Sequence, residues 1–117
     1  MNKQLTVIGT NHGKNVSRIW IEGKRLVDAG FFVGARYHRF IEDDWPLIGK
    51  RKIVLRLCKH EITNARYKVS GKGDKPIIDI SGGIVREVFP ASGDDTSRQM
   101  VEVIYEKGII IIQRPTP

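Results

Sequence analysis

The chain has 117 residues, 40% of them hydrophobic, a formal net charge of +7 at pH 7 and one cysteine, Cys58. This length fits one domain, 1–117, with a modest core; no apolar run reaches the roughly 18 residues of a membrane span, and the N-terminal apolar stretch is too short for a signal peptide. A single cysteine excludes an intrachain disulfide and a cysteine-rich zinc site. Together with the short apolar runs, this leads us to expect a cytoplasmic protein without membrane contact.

The positive charge is concentrated in the middle of the sequence. Residues 50–75 hold nine basic side chains against two acidic ones, an excess equal to the net charge of the whole chain. Charge of one sign in one place attracts polyanions, which favours nucleic acid as the partner. The alternative is a solvated basic face that aids solubility.

The first half of the chain is predicted to form short strands around one helix. Alternating apolar residues predict strands at 5–8, 17–21, 35–41 and 52–58, with a polar loop at 10–15, a helix at 24–29 and a turn at 42–49. Gly30 stands where a helix end requires left-handed backbone, and Phe31 stands where such a stop gains its apolar contact.

The second half repeats this order in a cruder form. A strand is predicted at 78–80, then a short helix with Ser81 as its N-cap and Pro90 beyond its end, then a hairpin of 99–105 with 108–113. The apolar run 109–112 suits a strand buried on both faces. The motif Ile19-x-Ile21-x-Gly23 matches Ile78-x-Ile80-x-Gly82.

Two pseudo-repeated β-α-β-β units in one chain are therefore expected. The first covers about 4–58, a basic connector covers 59–76, and the second covers about 77–114. Strands this short are marginal alone, so the hairpins of the two units are expected to interleave in a closed or sandwiched, mainly β structure with short helices.

Several motifs spread over roughly residues 4–57 belong together: Leu5-Thr6-Val7, Gly23-Lys24-Arg25-Leu26, Ala29-Gly30-Phe31, Gly34 and Ile53-Val54-Leu55. In this order they resemble the SymE proteins of the AbrB-like, swapped-hairpin superfamily, which also contains MazE-type antitoxins. The resemblance implies a swapped-hairpin AbrB-like barrel, here with both units supplied by one chain. It also implies DNA binding, as in the AbrB and MazE branches, or an RNA-related toxin role, as suggested for SymE. The chain departs from the pattern at Arg25, where the family usually has tryptophan, and at Glu22-Gly23, where AbrB proteins have proline.

The candidate nucleic-acid contacts are mostly basic, because phosphates bind Arg and Lys, with Asn64 for base edges and Tyr67 for stacking on a base. They are Arg18, Lys24, Arg25, Lys50, Arg51, Lys52, Arg56, Lys59, Asn64, Arg66, Tyr67, Lys68, Lys72 and Lys75. The short helix favours contact through a β-ribbon or loops.

Catalysis is not favoured. His60 beside Glu61 is the best acid–base pair for a ribonuclease-like reaction, but neighbouring strand residues point to opposite faces. The acidic cluster Glu42-Asp43-Asp44 lacks the spacing of a calcium loop. No catalytic residue, metal site or cofactor is predicted, and an enzymatic role is left open.

The main hypothesis is a small regulator of AbrB or SymE type that binds duplex DNA, with DNA expected before RNA. The alternatives are a SymE-like toxin acting on RNA and a protein-binding inhibitor or toxin–antitoxin partner. A protein partner would use aromatic anchors from Trp20, Phe32, Phe40 and Trp45, although Trp20 is expected in the core. Assembly as a homodimer is left open.

Overall fold

The computed structural model describes residues 2–11, 13, 16–43, 51–58, 65–90 and 99–115. Within these ranges the protein is mainly β, as predicted. In chain order the elements are β1 (Asn2–Val7), β2 (Gly9–Asn11), β3 (Val16–Glu22), α1 (Lys24–Asp28), β4 (Arg36–Asp43), β5 (Arg51–Leu57), β6 (Tyr67–Lys68), β7 (Ser70–Lys72), β8 (Lys75–Ser81), α2 (Gly83–Val88), β9 (Met100–Glu106) and β10 (Ile109–Gln113). Neither α1 nor α2 has the length or apolar character to span a membrane.

The strands form two antiparallel sheets. The six-stranded sheet has the order β1-β9-β10-β5-β4-β6, and the four-stranded sheet has the order β2-β3-β8-β7. The chain passes from one sheet to the other at Ile8 and at Val69, which are 7% and 0% exposed. The described strands do not close into the expected barrel, because these buried bends divide them between two sheets.

The two halves of the chain have the same strand pairing. Under a pseudo-twofold relation, β1 to β5 and α1 correspond to β6 to β10 and α2, and both sheet orders read the same in either direction. Edge strand β1 pairs with β9 of the other half, as β6 pairs with β4, and each helix packs on a strand of the other half. Each repeated unit therefore has five strands and one helix, more than the predicted β-α-β-β.

Backbone hydrogen bonds repeat in the same way. The N–H of Gly23 donates to the Pro76 carbonyl (3.3 Å), and the N–H of Gly82 donates to the Ser17 carbonyl (3.2 Å). Gly23 and Gly82 also share a backbone conformation, with φ of 98° and 109°. The short match seen in the sequence thus marks equivalent positions in the two halves.

The predicted connector 59–76 needs correction. Residues 59–64 lie outside the described residues, but from Tyr67 the segment forms β6, β7 and the start of β8. Tyr67 and Val69 pack inward, and Gly73 and Asp74 make a two-residue hairpin turn between Lys72 and Lys75. The second unit therefore begins at β6, and the later part of the basic segment lies in the sheets.

The end of α1 agrees with its prediction. Gly30 has φ of 92°, its N–H donates to the Val27 carbonyl (2.9 Å), and the N–H of Phe31 donates to the Leu26 carbonyl (2.8 Å). These are the two bonds of a Schellman stop. The N-cap prediction for α2 is wrong: Gly82 holds that position, and Ser81 is the last residue of β8.

The core lies between the two sheets and the helices. Its largest fully buried side chains come from both halves, namely Phe31, Phe89, Ile19, Leu26, Ile53, Leu55, Ile78, Ile80, Ile110 and Ile112. Trp20 was expected in the core but is 40% exposed, because Ile19 and Ile21 take the inward face of β3. In β10 only Ile110 and Ile112 are fully buried, whereas Ile109 and Ile111 are half-buried on the opposite face.

Candidate nucleic-acid interface

One edge of the molecule carries a cluster of exposed cations, which we call the basic edge. It consists of Arg36 on β4, Arg56 on β5, Arg66 and Lys68 at β6, Lys72 on β7 and Lys75 on β8. Strands β6 and β7 are the outermost strands of the two sheets on this side, and they follow each other in the chain. The cluster therefore runs along both sheets.

Strand register places three of these side chains, Arg36, Arg56 and Lys68, on one face of the six-stranded sheet. Arg36 lies directly opposite Lys68, and His38 lies directly opposite Arg56. Residues directly opposite in an antiparallel pair share a face of the sheet. Tyr37, between Arg36 and His38, is buried, so these three cations occupy the outer face of the six-stranded sheet, whereas Lys72 and Lys75 lie opposite each other at the edge of the four-stranded sheet.

Two pairs on the basic edge bring like charges together. Arg36 faces Lys68 across β4 and β6, and Lys72 faces Lys75 across β7 and β8. Like charges directly opposite each other destabilise a sheet.

The other end of β4 and β5 has the opposite arrangement. There Lys52 faces Glu42 with 4.0 Å between Nζ and Oε1, and Arg51 faces Asp43 with 2.9 Å between Nε and Oδ1. These sheets accommodate complementary pairs, so the like-charged pairs of the basic edge are a local feature.

The charge of the basic edge is not neutralised within the described part of the chain. None of its six cations forms an ion pair with a carboxylate there. Arg36 Nη1 donates to the Ala65 carbonyl (3.3 Å), and the Arg56 guanidinium lies 5.7 Å from the centre of the Phe40 ring. Neither contact offsets a positive charge with a negative one.

The equivalent positions of the other half are not basic. The Arg36–Lys68 pair corresponds to Met100–Val7, and the His38–Arg56 pair corresponds to Glu102–Gln113. The Lys72–Lys75 pair corresponds to Asn11–Val16. The fold is thus two-fold symmetric in its pairing, whereas the basic edge is present on one side.

Tyr67, predicted to stack on a base, makes aromatic and cation–π contacts within the protein. Its ring stacks on Tyr37 with centroids 5.7 Å apart, and the Arg39 guanidinium lies 4.2 Å from its centre. Arg39 Nη2 also donates to the Tyr67 hydroxyl (2.9 Å). The aromatic ring thus packs against these neighbours and is half-buried.

Three of the predicted basic residues are paired with acids away from the basic edge. Arg18 makes two hydrogen bonds to Asp79, from Nε (3.2 Å) and from Nη2 (2.8 Å), on the outer face of the four-stranded sheet. Arg51 and Lys52 form the ion pairs described above at the far end of β5. The structure thus places these three residues apart from the basic edge, each beside a carboxylate.

The remaining predicted residues fall into two groups. Lys24 and Arg25 are exposed on α1, where Arg25 Nε donates to Asn2 Oδ1 (3.0 Å). Lys50, Lys59 and Asn64 lie outside the described residues, as do His12, Trp45 and His60.

Sequence reasoning missed Arg36. Alternation along β4 indicates its face, but no local signal shows that β6 lies beside it. In the described ranges no cluster of His, Cys, Asp and Glu could hold a metal ion. Comparisons with protein-family models, curated proteins and solved structures found no match to the chain. The ligand class is therefore inferred from the geometry and charge of the basic edge.

Proposed function

We propose that this protein binds nucleic acid through its basic edge, which contacts the phosphates. Duplex DNA is the ligand expected before RNA. In this proposal it acts as a small cytoplasmic regulator of AbrB or SymE type. The observation that carries the proposal is the two like-charged pairs directly opposite each other across strands, Arg36 with Lys68 and Lys72 with Lys75.

A polyanion gives such cross-strand pairs a function. Each one destabilises the free protein, and a phosphate placed between two cations turns the repulsion into attraction. Every neutralised phosphate also releases counterions, which strengthens binding at low salt. Six cations along one edge give a duplex several such contacts.

The shape of the edge favours a β-ribbon contact. Helices α1 and α2 have five and six residues, too short to serve as recognition helices in a groove. The β7–β8 hairpin, with Lys72 and Lys75 beside its turn, is the element we assign to the phosphate backbone. Contacts of this kind position a protein on DNA without selecting a sequence.

We also propose that the chain has the swapped-hairpin organisation of AbrB-like proteins. The exchange of edge strands between the two halves supports this assignment, since β1 pairs with β9 and β6 pairs with β4. The separation of the strands into two sheets is where the chain differs from the barrel that its resemblance implied.

The test measures binding to a fluorescent DNA duplex by anisotropy. A double variant of the basic edge, Lys68→Glu with Lys72→Glu, is compared with a control, Lys107→Glu with Arg114→Glu. All four residues are exposed and both variants change the net charge equally. We expect the edge variant to bind at least about tenfold more weakly and the control to stay close to the wild type.

Equal affinities for the two variants would overturn the assignment. Binding to RNA in preference to DNA would favour the toxin alternative. Absence of salt-sensitive binding to either, with a co-purifying protein instead, would favour the protein-partner alternative.

A further inference from the structure

Phe32 is displayed to solvent by the loop that follows α1. It is 60% exposed, the highest value among the large apolar side chains of the described residues. Its neighbour Phe31 is fully buried, and Gly30 and Gly34 on either side have φ of 92° and 93°. The loop thus buries one phenylalanine and leaves the next in water, which packing of the core does not explain.

Hydrogen bonds hold this loop against the basic edge. The N–H of Gly34 donates to the Val69 carbonyl (2.9 Å), and the N–H of Val69 donates to the Ala35 carbonyl (2.8 Å). Val69 is the residue between Lys68 of β6 and Ser70, the first residue of β7. The exposed ring is therefore carried by a loop bonded to the point where the two basic edge strands meet.

We infer that Phe32 contacts the face of a nucleobase when nucleic acid occupies the basic edge. This inference rests on the proposed function. A cationic surface favours a polyanion over an apolar protein surface, and of the polyanions nucleic acid also offers flat aromatic faces. An exposed phenylalanine on a loop that is hydrogen-bonded to Val69, the neighbour of Lys68, matches both properties of that ligand.

The base could come from two sources. In a duplex, apolar side chains insert between stacked base pairs from the minor groove and kink the helix. In a single strand or at an unpaired position, a base stacks on the ring directly. The chemistry is the same, and the experiment separates the sources by the oligonucleotide used.

The experiment measures affinities for a paired duplex, for the same duplex with one unpaired base, and for a single strand. Phe32→Ala is compared with Phe32→Trp, which keeps an aromatic face. It is also compared with Leu5→Ala on β1, the edge strand that corresponds to β6 in the other half of the chain. Leu5 is 59% exposed, so its truncation controls for the loss of an exposed apolar side chain. Thermal unfolding of each variant checks that the fold is unchanged.

We expect Phe32→Ala to lose about 5- to 150-fold in affinity for the form that supplies the base. Phe32→Trp and Leu5→Ala should bind as the wild type does. Unchanged affinity of Phe32→Ala on all three oligonucleotides would overturn the inference. It would leave the proposed function standing if Lys68→Glu with Lys72→Glu still weakened binding, and the two failures are therefore distinguishable.

Discussion

At the scale of single residues, a substitution of Lys68 should change stability and DNA affinity in opposite directions. It lies directly opposite Arg36, so Lys68→Glu replaces a repulsive pair with an attractive one. We expect this variant to be more stable by about 0.2–1 kcal/mol while it binds duplex DNA more weakly. Urea unfolding and fluorescence anisotropy on the same preparation measure both changes.

A matched control reverses one charge of an attractive pair, Glu42 with Lys52. Glu42 faces Lys52 at the other end of β4 and β5, so Glu42→Lys creates repulsion where there was attraction. This variant should lose stability and keep its DNA affinity. If Lys68→Glu were destabilising, or if both variants bound equally well, the role assigned to the Arg36–Lys68 pair would be wrong.

Tyr105 links stability to alkaline pH. Burial raises the pKa of its hydroxyl from 10.0 to about 12, and the hydroxyl donates a hydrogen bond to Gln4 Oε1 (2.8 Å). The unfolded chain therefore loses this proton first as the pH rises. Ionisation of this group should therefore leave stability unchanged below pH 10 and lower it by about 2–3 kcal/mol in all as the pH rises through 10 to 12.

The variant Tyr105→Phe isolates this effect. It should cost about 1 kcal/mol at neutral pH, because the bond to Gln4 is lost, and it should flatten the fall in stability above pH 10. A smaller fall should remain from Tyr37, whose pKa is also raised by burial. Urea unfolding across this range measures it, and identical pH profiles for the wild type and the variant would contradict the account.

At the scale of elements, the β7–β8 hairpin depends on one glycine. Gly71 has φ of 125°, and a Cβ at this position would overlap the carbonyl oxygen of Lys75. We expect Gly71→Ala to destabilise the protein by about 2–5 kcal/mol and to weaken DNA binding, since the hairpin carries two cations of the basic edge. Thermal unfolding and anisotropy report the two effects.

Gly73 supplies the control in the same hairpin. It has φ of 62°, and nothing lies within 4 Å of a Cβ built on it. Gly73→Ala should therefore cost only about 1 kcal/mol, the penalty of left-handed backbone for alanine. Equal losses for the two variants would show that the close approach at Gly71 has no structural importance.

Elements determined by local chemistry were predictable from the sequence, and elements determined by distant pairing were not. The stop of α1 at Gly30 depends on residues within one turn, and the structure agrees with the prediction. Strands β6 and β7 have two and three residues, too few for an alternating pattern, and they form because β4 and β8 lie beside them. Their glycines and lysines therefore resembled a loop.

At the scale of the whole molecule, a symmetric arrangement of strands carries an asymmetric charge. Sequence reasoning located the excess charge in residues 50–75. The sequence did not show which basic residues share a surface, because strand pairing decides this. Pairing places Lys68 opposite Arg36, whereas Arg51 and Lys52 form ion pairs at the other end of β5. The sequence therefore indicated that the candidate site is basic, but it did not show which of the basic residues lie on one surface.

The salt dependence of duplex DNA binding tests the central claim most directly. If all six cations of the basic edge contact phosphates, the logarithm of the binding constant should fall with the logarithm of salt concentration at a slope of about −5. Removing two contacts through Lys68→Glu with Lys72→Glu should make the slope shallower by about 2, and the control Lys107→Glu with Arg114→Glu should leave it unchanged. A wild-type slope near zero, or the same slope for both variants, would contradict the account.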